Sequence, residues 1–153
     1  MFERVNAAID GRRTREPSTR PADRVDPFLL RGLLACGHCG KPMTTSSSRK
    51  LAKRGPRYYR CRQRGCVGGQ LPALAIETRV VNSLSTPPAN LDRQARAACE
   101  EVAHMWPLLM PVNRSRVLAY LFKEIRWAAM RGELAYVVDP EAAADLTRDL
   151  AAG

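Results

Sequence analysis

Two pairs of cysteines are the residues of this chain whose types and spacing most clearly suggest chemistry. Cys36 and Cys39 are separated by two residues, Cys61 and Cys66 by four, and 21 residues lie between the pairs. Tetrahedral zinc takes four thiolates, and a C-x2-C turn supplies two of them because the chain folds tightly around the metal. The sequence therefore predicts one structural zinc ion, bound by all four cysteines in a zinc ribbon.

The pattern gives less support to other uses of these residues. In a reducing compartment, paired cysteines at turn spacing favour a metal over disulfides. Iron accepts the same four sulfur ligands, but ribbon knuckles more often hold zinc. His38 could replace one thiolate, yet four are available, so we expect it to be exposed.

Gly37 and Gly40 suit a turn whose backbone N–H groups point at the thiolates. Cys99 has no partner at ligand spacing and is expected to be a small helix residue.

The charge of the chain is concentrated around the cysteines. The 153 residues carry a formal charge of +10. Residues 1–70 hold 16 Arg or Lys and 5 Asp or Glu, whereas residues 71–153 hold 9 and 10. A basic surface attracts phosphates at long range and releases their counterions on contact. This asymmetry favours a nucleic-acid partner over the alternative that the charge only keeps the protein soluble.

Ten Arg and Lys, and no Asp or Glu, lie between Pro27 and Ile76. One or two of them could simply offset the negative charge of a zinc ion with four thiolates. For the others the sequence predicts contacts with the phosphates of double-stranded DNA, with the hydroxyls of residues 46–48 as further donors. If the ribbon enters a major groove, three of the arginines could also recognise guanine. The candidate DNA contacts are Arg49, Lys50, Lys53, Arg54, Arg57, Arg60, Arg62 and Arg64, and the candidate guanine readers are Arg49, Arg54 and Arg57.

The ribbon that must position these residues is predicted to span residues 27–70. We expect a strand over 28–34, a second strand after the first knuckle, a hairpin loop near 48–57 and a returning strand at Tyr58 and Tyr59. One of these tyrosines is expected in the core, because neighbours in a strand point to opposite faces. Residues 1–11 are predicted to form a short amphipathic helix. Residues 12–26 are predicted to form a flexible basic linker, which either follows a phosphate backbone or acts only as a tether.

Residues 71–153 are predicted to form a helical region with a β-hairpin at about 124–138. Three helices are expected to begin near Leu71, at an Asn90 cap and at an Asn113 cap, and a fourth at Asp139. Their apolar positions recur at helical spacing: Leu74, Val81 and Leu84 in the first helix, and Leu91, Ala95, Ala98, Val102 and Met105 in the second. The predicted fold class is α+β, a small four-cysteine zinc β-ribbon with helices and a C-terminal β-hairpin.

The motifs around the cysteines match a known family. Residues 28–43, FLLRGLLACGHCGKPM, are followed by a basic tip, by Tyr-Tyr-Arg-Cys and by a spaced final cysteine. This arrangement resembles the recombinase zinc β-ribbon of large serine recombinases, the phage integrases and their transposon relatives. The resemblance implies zinc at the four cysteines and a ribbon that contacts the outer part of an attachment site. Residues 1–11 look like the last helix of the preceding recombinase domain.

Two departures from that family shape the functional prediction. The family's catalytic domain, which carries the nucleophilic serine, precedes the ribbon and needs well over a hundred residues, whereas 35 residues precede Cys36. The family's long coiled-coil arm, which joins subunits, is replaced here by one predicted helix between residues 85 and 112. We therefore expect a non-catalytic, zinc-dependent DNA-binding protein. The alternative is a protein-interaction module that associates with a full-length recombinase and modulates it, through the helix at residues 91–105. Self-association through the helices is the other partner prediction.

The sequence also bears on where the protein works. No stretch approaches the roughly 18 uninterrupted apolar residues of a membrane span, and the N-terminus lacks the layout of a signal peptide. We expect a protein of the cytoplasm, associated with the nucleoid and with no membrane partner.

Overall fold

The computed structural model describes residues 28–47 and 56–151. The predicted helix at residues 1–11, the basic linker at 12–26 and most of the ribbon tip lie outside these ranges. The described part confirms the α+β class, with four α-helices and two three-stranded sheets. The strands are β1 (Leu34–Cys36), β2 (Thr44–Ser47), β3 (Arg57–Arg60), β4 (Gln70–Pro72), β5 (Phe122–Ala128) and β6 (Glu133–Val138). The helices are α1 (Ala73–Ser85), α2 (Arg93–Met105), α3 (Pro111–Leu121) and α4 (Pro140–Ala151), with a short 3-10 helix at Trp106–Leu108.

The ribbon sheet is antiparallel, in the order β2-β3-β4. Tyr59 pairs with Thr45 on one side and with Leu71 on the other. Because side chains alternate along a strand, Tyr59 is fully buried while Tyr58 is half-buried. The prediction that one tyrosine of this pair lies in the core is confirmed.

The second sheet joins the first knuckle to the C-terminal hairpin, in the order β1-β5-β6. β1 runs parallel to β5, with Leu34 opposite Ile125 and Cys36 opposite Trp127. β5 and β6 form the antiparallel hairpin that the sequence predicted near residues 124–138. The pairing of β1 with β5 was not predicted, because parallel strands separated by more than eighty residues leave no local pattern.

The predicted strand at residues 28–34 is wrong except at its last residue. Residues 29–33 form a turn, and β1 begins only at Leu34. Gly32 has a φ of +75°, which an L side chain rarely adopts and which a continuous strand does not contain. The apolar residues Phe28 and Leu30 are buried by this turn, so their hydrophobicity reflected core packing and not strand geometry.

The helices occur close to where they were predicted, but two caps and one apolar stripe differ. The buried face of α1 is formed by Ala73, Ile76, Glu77, Val80 and Leu84. Leu74, predicted to be in the stripe, is 70% exposed.

The predicted caps of the second and third helices are also corrected. Asp92, not Asn90, caps α2, with its carboxylate accepting from the Ala95 N–H at 2.7 Å. α3 begins at Pro111, so Asn113 lies inside it. Proline is well suited to the first position of a helix because it has no N–H to leave unpaired.

One hydrophobic core includes residues from the ribbon, the helices and the hairpin. Phe28 and Tyr59 meet edge to face at 5.6 Å between ring centroids, and Cys36 and Cys99 belong to the same core. Cys99 is buried in α2, as expected of a small helix residue. Within the described ranges no helix combines the length and apolarity that a membrane crossing requires.

Candidate metal centre

The four predicted ligands come together in space. Their sulfur atoms all lie within 4.8 Å of one another. The Sγ–Sγ distance is 3.6 Å between Cys36 and Cys66, and also between Cys39 and Cys61. A tetrahedral zinc ion with Zn–S bonds of about 2.3 Å places its sulfurs about 3.8 Å apart, so the cluster has the right size. The four cysteines are positioned to bind one metal ion, which is consistent with a structural zinc.

Each cysteine pair lies on a tight turn that the local sequence favours. In the first turn the Gly40 N–H donates to the Cys36 carbonyl at 2.8 Å, and Gly40 has a φ of +73°. In the second turn the Cys66 N–H donates to the Gln63 carbonyl at 3.1 Å, beside Gly65 with the same φ. Glycine adopts positive φ without steric cost, and this is why both knuckles contain it.

Backbone N–H groups stabilise the thiolate of Cys36. Burial raises the pKa of this thiol, but hydrogen bonds from the N–H groups of Cys39 and His38, together with those from the Cys66 and Cys39 thiols, outweigh burial and lower the pKa to about 7. The predicted knuckle geometry is therefore present. The donors are not the two glycines, since the Gly37 N–H donates to the Trp127 carbonyl and the Gly40 N–H to the Cys36 carbonyl.

The two thiols of the second knuckle, Cys61 and Cys66, have raised pKa values. Burial raises the pKa of Cys61 to about 12, despite a hydrogen bond from the Gln63 backbone. The Gly68 N–H, 3.4 Å from the Cys66 sulfur, lowers the pKa of that thiol, but burial and the thiols of Cys36 and Cys39 leave it raised. Four sulfurs this close repel one another when all are ionised, so a bound cation must displace protons to form the site.

Gly68 is a part of the site that the sequence analysis missed. A Cβ atom built on Gly68 would lie 2.5 Å from the Cys36 sulfur and 3.0 Å from the Cys61 Cβ. Only glycine can therefore pass this close to the sulfur cluster. The Gly68-Gly69 pair after the last cysteine was the available signal, but nothing in the sequence placed it against Cys36.

The hairpin and the first knuckle are joined next to the sulfurs. The Gly37 N–H donates to the Trp127 carbonyl at 2.8 Å, and a Cβ on Gly37 would lie 2.9 Å from the same oxygen. His38 is exposed, as predicted, and its Nε2 accepts from the Met130 N–H at 3.3 Å. His38 thus connects the knuckle to the hairpin loop and is not among the clustered ligands.

The buried carboxylate of Glu77 connects strand β3 of the ribbon to the turn that precedes β1. The Glu77 Oε1 atom accepts from the Leu29 N–H at 2.9 Å and from the Tyr59 hydroxyl at 2.7 Å. The Tyr59 oxygen in turn accepts from the Leu30 N–H at 2.9 Å. Burial, followed by the hydrogen bond to Glu77, raises the pKa of Tyr59. The sequence between Pro27 and Ile76 contains no acid, but the carboxylate of the next residue, Glu77, accepts hydrogen bonds from Leu29 and Tyr59 within that range.

The structure describes half of the predicted DNA contacts. Arg49, Lys50, Lys53 and Arg54 lie outside the described residues. Arg57 is half-buried, with its guanidinium 5.7 Å from the centre of the Phe28 ring and 3.9 Å from the Glu77 Oε2 atom. Arg60, Arg62 and Arg64 are exposed around the second knuckle, and none has an ion-pair partner in the described part of the chain.

Comparison with known proteins agrees with this geometry. Residues 29–85 match the family model described as recombinase zinc beta ribbon domain. The match includes all four clustered cysteines, so this part of the chain is a recombinase-like zinc-binding module. No curated protein and no solved structure matches the chain.

Proposed function

We propose that this chain is a non-catalytic, zinc-dependent protein that binds double-stranded DNA, similar to the DNA-binding C-terminal part of a serine recombinase. The observation that carries the proposal is the four-cysteine cluster within a recombinase zinc ribbon, with exposed arginines around its second knuckle. We expect the protein to act in the cytoplasm, on the nucleoid.

The three exposed arginines are suited to phosphates. Arg60 precedes Cys61, and Arg62 and Arg64 lie between the two cysteines of the second knuckle. A guanidinium with no carboxylate partner keeps its donors available, and phosphate oxygens accept two of them at once. The metal would fix the backbone that carries these side chains. The remaining candidates, Arg49, Lys50, Lys53, Arg54 and Arg57, extend the same basic segment.

The proposal assigns the chain a binding role without strand cleavage. Cleavage by a serine recombinase requires a nucleophile and cations aligned on one phosphate. The family match covers the zinc ribbon, and no catalytic domain is evident in it. We expect the purified chain to leave supercoiled DNA uncut in a gel assay with added zinc.

The structure does not favour the alternative in which the helix at residues 91–105 pairs with a recombinase. Its apolar residues Ala95, Ala98, Val102 and Met105 are buried within the chain, where α2 packs against α1 and α4. A partner would have to unfold this packing to reach them. An interaction with a recombinase would therefore need another surface.

Charge-matched variants test DNA binding directly. The variant R62Q/R64Q removes two charges from the second knuckle, and R93Q/R96Q removes two exposed charges from α2. We expect R62Q/R64Q to weaken binding to duplex DNA, measured by fluorescence anisotropy at several salt concentrations. Because each lost phosphate contact reduces the slope of log K against log salt by about 0.9, that slope should fall by about 2.

The control variant distinguishes a local contact from general attraction. R93Q/R96Q should bind DNA with nearly the wild-type slope. Equal losses in both variants would show that only net charge matters and would contradict the proposal. Wild-type affinity that did not depend on salt would contradict it as well.

A further inference from the structure

A second segment without acidic residues lies where α2 leads into α3. Residues 102–123 contain no Asp or Glu, and four of the five residues 107–111 are exposed and apolar. Leu108 is 76% exposed and Met110 is 62% exposed, whereas Leu109 between them is buried. Consecutive exposed apolar side chains lower solubility unless they serve a contact.

Core packing accounts for the apolar side chain of Leu109, but not for those of Leu108 and Met110, which are exposed. The Leu109 N–H donates to the Met105 and Trp106 carbonyls at 3.1 and 3.2 Å, and its side chain joins the core. These hydrogen bonds fix the short 3-10 helix, so Leu108 and Met110 are held on the surface. A fixed apolar surface binds a partner without the cost of ordering a loop.

Arg114 places a positive charge beside these apolar side chains. Its guanidinium lies 5.4 Å from the centre of the Trp106 ring, in a cation–π contact. Its Nε atom is buried by the chain itself and is not accessible to a partner, but Arg114 as a whole is only half-buried and has no ion-pair partner in the described part of the chain. A carboxylate is the acceptor that matches a guanidinium best.

We propose that Trp106, Leu108, Met110 and Arg114, which we call the Trp106 surface, bind a protein segment that presents aliphatic side chains beside a carboxylate. Trp, Met and Arg are the residue types enriched at the centres of protein interfaces. This inference is independent of the proposed DNA binding.

The charges of the surface distinguish this partner from two others. A second copy of the chain docked through the same surface would bring two such segments together, and neither has an acid in residues 102–123 to pair with Arg114. DNA would be bound by extended, exposed cations, but Arg114 and Arg116 are both half-buried, and the exposed side chains of the Trp106 surface, Leu108 and Met110, are apolar. An acidic and aliphatic protein segment matches both the unpaired positive charge of Arg114 and the apolar side chains of Leu108 and Met110.

A peptide selection tests the proposal on the full-length, zinc-loaded protein. A displayed library of random peptides is selected for binding, and the enriched peptides are synthesised and titrated by fluorescence anisotropy. We expect peptides that combine Leu, Ile or Met with Asp or Glu. M110S and R114Q should each weaken their binding about ten-fold or more, as expected for loss of a buried anchor or of a charged hydrogen bond.

Matched variants keep the outcome interpretable. M130S removes another methionine, 74% exposed on the hairpin loop, and should leave peptide affinity unchanged. R114K keeps a positive charge but lacks the planar guanidinium that stacks on Trp106 and pairs with a carboxylate through two donors, so it should not restore the affinity lost in R114Q. Zinc content and circular dichroism report whether each variant folds.

Several results would overturn the proposal. One is the failure of the selection to enrich any peptide, and another is enrichment of peptides without acids or insensitive to M110S and R114Q. Concentration-dependent dimerisation in sedimentation experiments, abolished by M110S, would assign the surface to a second copy. Loss of DNA affinity in R114Q at unchanged zinc content would assign it to DNA.

Discussion

At the scale of single residues, the metal centre depends on a glycine that is not a ligand. Gly68 passes so close to Cys36 that a methyl group in its place would overlap the sulfur. Zinc ligation requires four sulfurs at fixed distances, so displacing one of them lowers the affinity for the metal. The ligands themselves could be predicted from spacing, because a C-x2-C turn is a local structure. Gly68 could not, because its role arises from contact with a residue 32 positions earlier.

We expect G68A to bind zinc at least ten-fold more weakly than the wild-type protein, measured by competition with a chromophoric chelator. G65A is the control, since a Cβ on Gly65 meets no atom within 4 Å and only the positive φ of +73° is strained. Equal zinc affinities for G68A and wild type would show that the chain relaxes around the methyl group, contrary to this account.

The Tyr59 hydroxyl illustrates a second residue-scale effect. Tyr59 to Phe leaves the buried Leu30 N–H without an acceptor and removes a donor to Glu77. We expect the free energy of unfolding to fall by about 2 kcal/mol, which urea denaturation would measure. Tyr58 to Phe alters a half-buried neighbour and should change stability by less than about 0.5 kcal/mol. Similar effects from both substitutions would argue against the hydrogen-bond network.

At the scale of elements, the first cysteine knuckle and the C-terminal hairpin were predicted as separate segments, but the fold joins them in one sheet. The hairpin could be predicted because alternating residues and a short turn are local features. Its parallel pairing with β1 could not, because the partner strand has three residues and lies far away in sequence. The division of the chain at residue 70 remains a prediction, while β1 and β5 form one sheet across that position.

Helix α1 shows how an apolar stripe can be assigned to the wrong face. Leu74 and Leu84 were both predicted to lie in the stripe, but only Leu84 is buried. Leu84 to Ala should cost about 2–5 kcal/mol of unfolding free energy, whereas Leu74 to Ala should cost less than about 0.5 kcal/mol. Urea denaturation of the two variants compares them directly. A larger loss for Leu74 to Ala would mean that α1 is rotated relative to the core.

At the scale of the whole molecule, charge and metal act together. The excess positive charge lies in residues 1–70, while residues 71–153 are close to neutral. Composition alone was enough to predict this asymmetry. Which cations remain free depends on folding: Arg57 lies beside Glu77 and Phe28, whereas Arg60, Arg62 and Arg64 stay exposed. The second acid-free segment, at residues 102–123, became informative only when its exposed apolar residues and Arg114 were located.

The central claim is that zinc holds the ribbon in the shape that binds DNA, and one measurement tests it most directly. The affinity for duplex DNA is measured by fluorescence anisotropy with the zinc-loaded protein, after removal of zinc by a chelator, and after zinc is added back. We predict that affinity falls steeply on chelation and returns with zinc, because the four thiolates cannot hold the knuckles together without a cation. DNA affinity that is unchanged by chelation, with metal loss verified by elemental analysis, would contradict the account.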